Sequence, residues 1–400
     1  MKTLIKTYYK AKISFWNSIS TEWNAIIKDK AVVGIFLSIG FIILVVYTYI
    51  YSNQVVQEVP VAIVNQDATK LSRDYMSMLD ASEGLKVMPN YIDLQEAKTA
   101  YYSKNVMGII IIPKNFEKNI KQGKQTDVVT FSDASNMLFY KKVLGDVSVI
   151  TGYFNAGIAI KKEMLQAKPY NQATQEYFPI KPISTSLFNY SSGYANYLIP
   201  ILTALLVQLI LLMAMGVLNG SRNEDSNFKL HFPRLLHSGG TIPVLLGKAF
   251  LYFMFFLIII PIQIGIVYSI FNIPVRSPLY LIYLFLIPYI FAVIFLGITI
   301  SSLFKKREDS IIFLVLISIP SLMLSGLSFP VQSFPIFYRY LAQLLPSTPG
   351  IDGFVKLTQM NASFFNVLKE WKSLWLLTCI YFVLAAISLK LRAINENKSK

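Results

Sequence analysis

The stretch SGLSFPVQSFPIFYRYLAQLLPSTPG, residues 325–350, follows a charge-free apolar run over 311–324. It carries four prolines, Pro330, Pro335, Pro346 and Pro349, with Phe334, Ile336, Phe337, Tyr338 and Tyr340 between them. Proline lacks a backbone N–H and clashes with the preceding turn, so this stretch is not one straight helix. It is also too apolar for an ordinary exposed loop. Its surroundings decide what it is.

Those surroundings are those of a membrane protein. Of 400 residues, 54% are hydrophobic and 15% are charged; a soluble chain carries about 25% charged residues. Six charge-free runs have the length needed to cross a hydrocarbon core, near 31–51, 194–217, 250–271, 278–304, 310–329 and 373–389. The first is longer than the apolar core of a signal peptide, and no small-x-small cleavage site follows it.

The net charge is +15. Its placement points to topology rather than to nucleic acid. Basic residues cluster in four groups beside span ends: Lys2, Lys6, Lys10, Lys12, Lys28 and Lys30; Arg222, Lys229, Arg234 and Lys248; Lys305, Lys306 and Arg307; and Lys390, Arg392, Lys398 and Lys400. With six crossings all four groups fall on one side, which the positive-inside rule makes the cytoplasm. Both termini are then cytoplasmic. Within 13–29, Trp16, Ile19, Trp23, Ile26 and Ile27 recur at helical spacing, opposite Lys12, Asn17, Glu22, Asn24 and Lys28. This reads as an interfacial helix on the inner leaflet, or as an ordinary juxtamembrane helix.

Residues 52–193 differ in character, with frequent mixed charge. VPVAIVNQD (59–67) reads as a buried strand running into a turn, with Asn65 or Asp67 suited to cap a helix at 70–79. GLKVMP (84–89), VMGIIIIP (106–113) and DVVTFSD (127–133) read as further strands. Helices are expected over 93–102, 115–122 and from Asn136 to about residue 168. Strands alternating with helices predict an α/β domain, placed outside the cytoplasm by the first crossing. The expected fold is therefore an α-helical polytopic membrane protein of six transmembrane helices, with an α/β extracytoplasmic domain inserted between the first two.

Several chemistries lack their residues. His231 and His237 both lie in the segment between the second and third spans, so no Ser-His-Asp or Cys-His site is expected in the extracytoplasmic domain. Their spacing does not suit a zinc helix. Cys379 is the single cysteine, and LLGKAF (245–250) lacks the leading glycine and the Ser/Thr of a phosphate loop. No span core contains an ionisable residue, which ion-driven carriers need there. Gln208 and Gln263 are the notable polar residues, either interhelical ties or pathway groups. Energy for transport would come from elsewhere.

The layout resembles the permease subunit of ABC-2 type ABC exporters, in the multidrug-type branch with a large extracytoplasmic domain. VPVAIVNQD is similar to the start of that domain. The stretch from Ser325 to Gly350 resembles the family's segment after the fifth span, in its small-residue turn, Phe329–Pro330, second proline Pro335 and Leu345–Pro346 pair. The cytoplasmic loop, 218–249, matches less well: SRNED (221–225) and LLGKAF fit its two ends, while Gly240–Thr241 comes later than in the family. The resemblance implies a re-entrant segment within 330–372, gated by Phe329, Pro330, Pro335, Leu345 and Pro346; the alternative is an amphipathic loop on the outer surface. It implies a bacterial inner-membrane exporter half for an amphipathic drug or lipid-like compound. It also implies a cytoplasmic ABC ATPase docking near Arg222, Glu224, Arg234 and Trp23, and a second copy or paralogue. A periplasmic adaptor and outer-membrane channel go with part of the family. ATP and Mg would sit on the ATPase, so this chain would hold no cofactor and would not itself be an enzyme. The rival readings are a sensor or scaffold whose extracytoplasmic domain binds a ligand, and a lipid-modifying enzyme.

Overall fold

The first helix, α1 (Lys2–Lys28), is longer than the periodicity suggests. Asp29 ends it and starts the next: its carboxylate accepts the backbone N–H groups of Ala31 and Val32 and caps α2 (Lys30–Ile50). The computed structural model of the chain describes residues 2–88, 91–165, 169–177, 187–190, 192–224, 240–304, 306–326 and 329–398. They form two units, one of residues 1–54 with 186–400 and one of residues 55–185.

The smaller unit is built on a four-stranded sheet. Its strands are β1 (Val59–Asn65), β2 (Leu85–Met88), β3 (Gly108–Ile112) and β4 (Val129–Ser132), in the order β2-β1-β3-β4. β1 runs parallel to β2 and β3, and β4 is antiparallel to β3. The helices are α3 (Lys70–Asp80), α4 (Leu94–Tyr102), α5 (Phe116–Lys121), α6 (Met137–Met164) and α7 (Tyr170–Tyr177). Side chains alternate along a strand, so β1 feeds two cores. Val59, Val61 and Ile63 meet Tyr75 and Leu79 of α3 and Val143, Val147 and Phe154 of α6 on one face. Ala62 and Val64 meet Ala97 and Ala100 of α4 on the other. Thr69 caps α3; the expected caps Asn65 and Asp67 instead fold the preceding loop, with Asn65 accepting the N–H groups of Asp67 and Ala68.

The larger unit continues with α8 (Tyr194–Glu224), α9 (Thr241–Tyr268), α10 (Leu279–Ser301), α11 (Arg307–Leu324), α12 (Ile336–Leu344), α13 (Ser347–Met360) and α14 (Leu368–Lys398). Among the described residues six helices are long and apolar enough to cross a membrane: α2, α6, α8 to Arg222, α9, α10, and 364–391, which contains most of α14. α6 meets the criterion by composition while packing on the sheet of the smaller unit. α11 misses it because Arg307, Glu308 and Asp309 crowd its first turn, although it is charge-free from Ser310 onward.

Prolines interrupt four helices of the larger unit, Pro200 in α8, Pro261 in α9, Pro288 in α10 and Pro320 in α11, and side chains from neighbours repair two of the gaps. Pro261 cannot bond the carbonyl of Leu257, which accepts the Tyr283 hydroxyl at 2.9 Å. Pro288 leaves the carbonyl of Leu284, which accepts the Trp371 indole N–H at 3.0 Å. Both repairs also tie one helix to another, α10 to α9 and α14 to α10. In hydrocarbon a backbone polar group has no water to fall back on, so such donors are required.

The opening stretch breaks as its prolines demand. Pro335 precedes α12, Leu345 ends it, and Pro346 opens α13. The prolines at 346 and 349 lie at the start of a helix, since proline is tolerated in a first helical turn. α12 is exposed except at Ala342, and α13 is buried along Gly350, Ile351, Gly353, Phe354 and Leu357. Its seat on α10 depends on missing side chains: a Cβ on Gly353 would lie 2.1 Å from the Phe285 ring, and one on Gly350 2.5 Å from the Tyr289 ring. Gly353→Leu should destabilise the purified protein by about 1–3 kcal/mol, the usual cost of overpacking. Adding Phe285→Ala should recover part of the loss, as read by thermal unfolding in detergent.

Candidate functional site

Helix α1 buries an unusual face. Ser14, Ser18, Glu22 and Ile26, spaced by four, are buried, while Tyr8, Tyr9, Ile13, Trp16, Trp23 and Ile27 are exposed. The small residues let α1 lie close against α9. A Cβ on Gly247 would come within 2.6 Å of the Phe15 carbonyl, and Ser18 Oγ donates to the Val244 carbonyl at 2.9 Å. The apolar face is left outward, as for a helix lying at a membrane interface.

This close approach drives Glu22 into the bundle. The periodicity places Glu22 on the polar, outward face; the structure buries it to 1% exposure. Arg222 Nη1 of α8 lies 2.7 Å from Glu22 Oε2, and Lys248 Nζ of α9 lies 3.5 Å from the same oxygen. Tyr252 donates its hydroxyl to Glu22 Oε1 at 2.8 Å. Asn219 Oδ1 accepts from Arg222 at 3.5 Å and from Lys248 at 3.4 Å, and Asn219 Nδ2 donates to Ser301 Oγ of α10 at 2.7 Å. The carboxylate joins α1 to α8 and α9, and Asn219 extends the network to α10. Burial alone would raise the Glu22 pKa. The charges of Arg222 and Lys248, with hydrogen bonds from Arg222 and Tyr252, outweigh it and hold the carboxyl below its ordinary value.

A second close crossing braces the same end. Gly216 and Gly220 of α8 are four apart, on one face. A Cβ on Gly220 would lie 2.5 Å from Arg307 Cα, and one on Gly216 2.8 Å from a Leu314 methyl. Small residues at this spacing bring helix backbones together in membranes. They set Arg307 beside Asp29, at 3.5 Å.

The residues expected to dock an ATPase are placed differently from one another. Arg222 is buried in the Glu22 cluster. Trp23 is half exposed and stacks on Phe255, with ring centroids 5.6 Å apart. Glu224 ends α8, and its side chain lies outside the described residues, as do Arg234, His231 and His237. The segment expected as the loop 218–249 is helical at both ends, to Glu224 and from Thr241, because its flanks are packed into the bundle. In the sequence Lys248 reads only as a topology charge, and Tyr252 and Asn219 carry no signal. Their partner Glu22 is the fourth-spaced continuation of Ser14 and Ser18, the one hint available.

The expected pathway residues are buried. Gln263 begins a π-turn, Gln263–Tyr268, and donates Nε2 at 2.7 Å to the carbonyl of Gly40, itself within the π-turn Ser38–Ile43 of α2. Such turns widen the helix and recur at functional positions. Gln208 Oε1 and Gln263 Oε1 have no partner among the described residues. Of the expected gate residues, Phe329 is exposed and stacks on Phe334 at 6.1 Å, Pro330 opens a short 3-10 turn, and Pro335, Leu345 and Pro346 bound the two helices described above. In the smaller unit a shallow cleft of about 540 Å³ lies at the carboxyl ends of β1 and β3, lined by Asp67, Thr69, Asn115 and Glu117. Lys121, 2.5 Å away, holds Glu117 below the usual carboxylate range. Asp67 there already accepts from Thr69 and from the Glu117 N–H.

The sequence profile of the ABC-2 family transporter proteins matches residues 30–387. The chain belongs to that family. The ABC-2 proteins are the membrane component of a transport machine, and membership implies an ATPase partner. The chain is 22% identical over 335 residues to the linearmycin resistance permease protein LnrN of Bacillus subtilis, covering 78% of this chain and 82% of that protein. It is 21% identical over 342 residues to ABC transporter G family member 20 of Dictyostelium discoideum, covering 84% of this chain and 44% of that longer protein.

Two measurements check the cluster. Glu22→Ala leaves Arg222 and Lys248 buried beside no carboxylate, which costs about 3–5 kcal/mol; a correspondingly lower unfolding temperature in detergent is expected. A carboxyl with a lowered folded pKa contributes stability above its unfolded pKa, and loses it as pH falls through the folded value. Wild-type thermal stability should therefore gain an acid-labile component below the ordinary value of 4.5. Glu22→Gln should be less stable at neutral pH and should lack that component.

Proposed function

We propose that this chain is the membrane half of an ATP-driven exporter, moving an amphipathic compound from the cytoplasm or inner leaflet outward. The observation that carries the reading is the Glu22 cluster. It makes α1 and the ends of α8, α9 and α10 one mechanical piece, so force applied to α1 or to the segment 225–239 reaches three spans together. A separate ABC ATPase is the natural source of that force. A change between inward- and outward-facing states requires ligand contacts that differ between them, and ATP-driven closure of an ATPase pair supplies such contacts.

In this reading α11, with its charge-free stretch from Ser310, is a crossing and α6 is not. The basic span ends then share the cytoplasmic side of a bacterial inner membrane, with both termini, and the α/β unit lies outside. Two copies, or this chain with a paralogue, form the pathway; Gln208 and Gln263 offer it polar groups. α12 and α13 form a re-entrant gate at its outer end, and the α/β unit receives substrate or a periplasmic adaptor. The span interiors are rich in Phe, Tyr, Leu and Ile, which suits an apolar solute with a polar end. The resistance permease among its relatives supports outward transport.

Affinity purification in mild detergent, followed by mass spectrometry, tests the reading. A stoichiometric ABC ATPase is expected, with hydrolysis stimulated by amphipathic solutes; Glu22→Gln should keep basal hydrolysis and lose most of the stimulation. Isolation of the chain alone, under conditions that keep a control ABC complex together, would overturn it.

A further inference from the structure

A cleft of about 350 Å³ opens where α1, α2, α8 and α11 meet, lined in part by Lys28, Asp29, Lys30, Ser221, Arg222 and Arg307. Its charges do not cancel. Glu22 answers Arg222, and Asp29 answers Arg307. Lys28 and Lys30 are exposed, and their side chains make no ion pair among the described residues. The N–H groups at the start of α2 are already taken by Asp29, so the excess positive charge is that of side chains. The depth of the cleft is set independently of its charge. Lys30 is the first residue of one span and Arg222 the last of another, and the exposed Trp16 and Trp23 mark α1 as lying at the interface. A cationic cleft between span ends at that depth meets phosphate groups first.

We propose that this cleft binds the phosphate of an anionic lipid headgroup, with Lys28 and Lys30 as its contacts and Arg307 held ready by Asp29. The bound lipid would brace α1 against α8 and α11, beside the Glu22 cluster, and is distinct from any transported solute. A soluble phosphate offers the same chemistry, but the cleft opens at the headgroup level, where lipid phosphate is concentrated. The inference rests on the membrane-spanning fold and not on the exporter reading.

Native mass spectrometry of the full-length protein, titrated in mild detergent with phosphatidylglycerol or phosphatidylcholine, tests it without ATP or transported solute. Wild type should retain phosphatidylglycerol over phosphatidylcholine. The double variant Lys28→Gln/Lys30→Gln should lose roughly thirty-fold of that preference, the scale expected for two basic residues beside an anionic headgroup. Both lysines are exposed, so the unfolding temperature of the variant without lipid should match wild type. Equal retention by wild type and variant would overturn the proposal, as would no preference for phosphatidylglycerol in wild type. Full displacement of the lipid by excess inorganic phosphate would identify a soluble anion as the ligand and overturn the lipid assignment. Equal lipid retention with release of a co-purifying chain from the variant would make the cleft a protein-docking site instead.

Discussion

A buried carboxylate is tolerable only when its surroundings answer its charge, and Glu22 is answered on every side. Arg222 and Lys248 supply charge, Tyr252 supplies a hydroxyl, and Asn219 holds both cations and hands its amide to Ser301. Removing any one of these leaves the others buried without compensation, so the cluster enforces one arrangement of α1 on the bundle. The small residues of α1 and Gly247 of α9 exist for the same arrangement, since they set the distance at which Glu22 reaches Arg222.

The bundle is otherwise held by backbone made good with side chains. Tyr283 and Trp371 fill the gaps that Pro261 and Pro288 open, and Gln263 reaches into the π-turn of α2. Each repair crosses from one helix to another. A proline that would weaken an isolated helix therefore becomes a point of helix–helix attachment. The same economy shapes the segment after α11. Its prolines cut it into short helices, and Gly350 and Gly353 let the second of them sink against Tyr289 and Phe285.

The α/β unit follows soluble-protein rules within a membrane chain. β1 is buried on both faces and alternates between two cores, while the edge strand β4 exposes Val129 and Phe131. Its helix α6 shows that composition alone does not separate a crossing from a helix packed on a sheet. Val143, Val147, Ile150 and Phe154 are apolar because the sheet needs them, and their number raises the helix to the hydropathy of a span.

The sequence by itself determined what depends on composition and short-range periodicity. Five of the six long apolar runs coincide with helices long and apolar enough to cross a membrane among the described residues, the alternating strand and helix patterns coincide with the α/β unit, the spacing of Pro335 and Pro346 broke the 325–350 stretch, and residues 30–387 carried the family. Helix ends lie beyond the apolar runs, at Glu224 and Thr241, because Asn219, Arg222, Val244 and Lys248 near those ends are buried in the bundle. Helical spacing puts Glu22 on a polar face but does not say what covers that face. Only the tertiary structure decided that Arg222, Lys248, Tyr252, Asn219 and Ser301, separated by up to 82 residues among themselves and by 230 from Glu22 to Tyr252, share one site. That grouping depends on how closely the helices approach, which the absent side chains of Gly247 and Gly220 permit and no local pattern reveals.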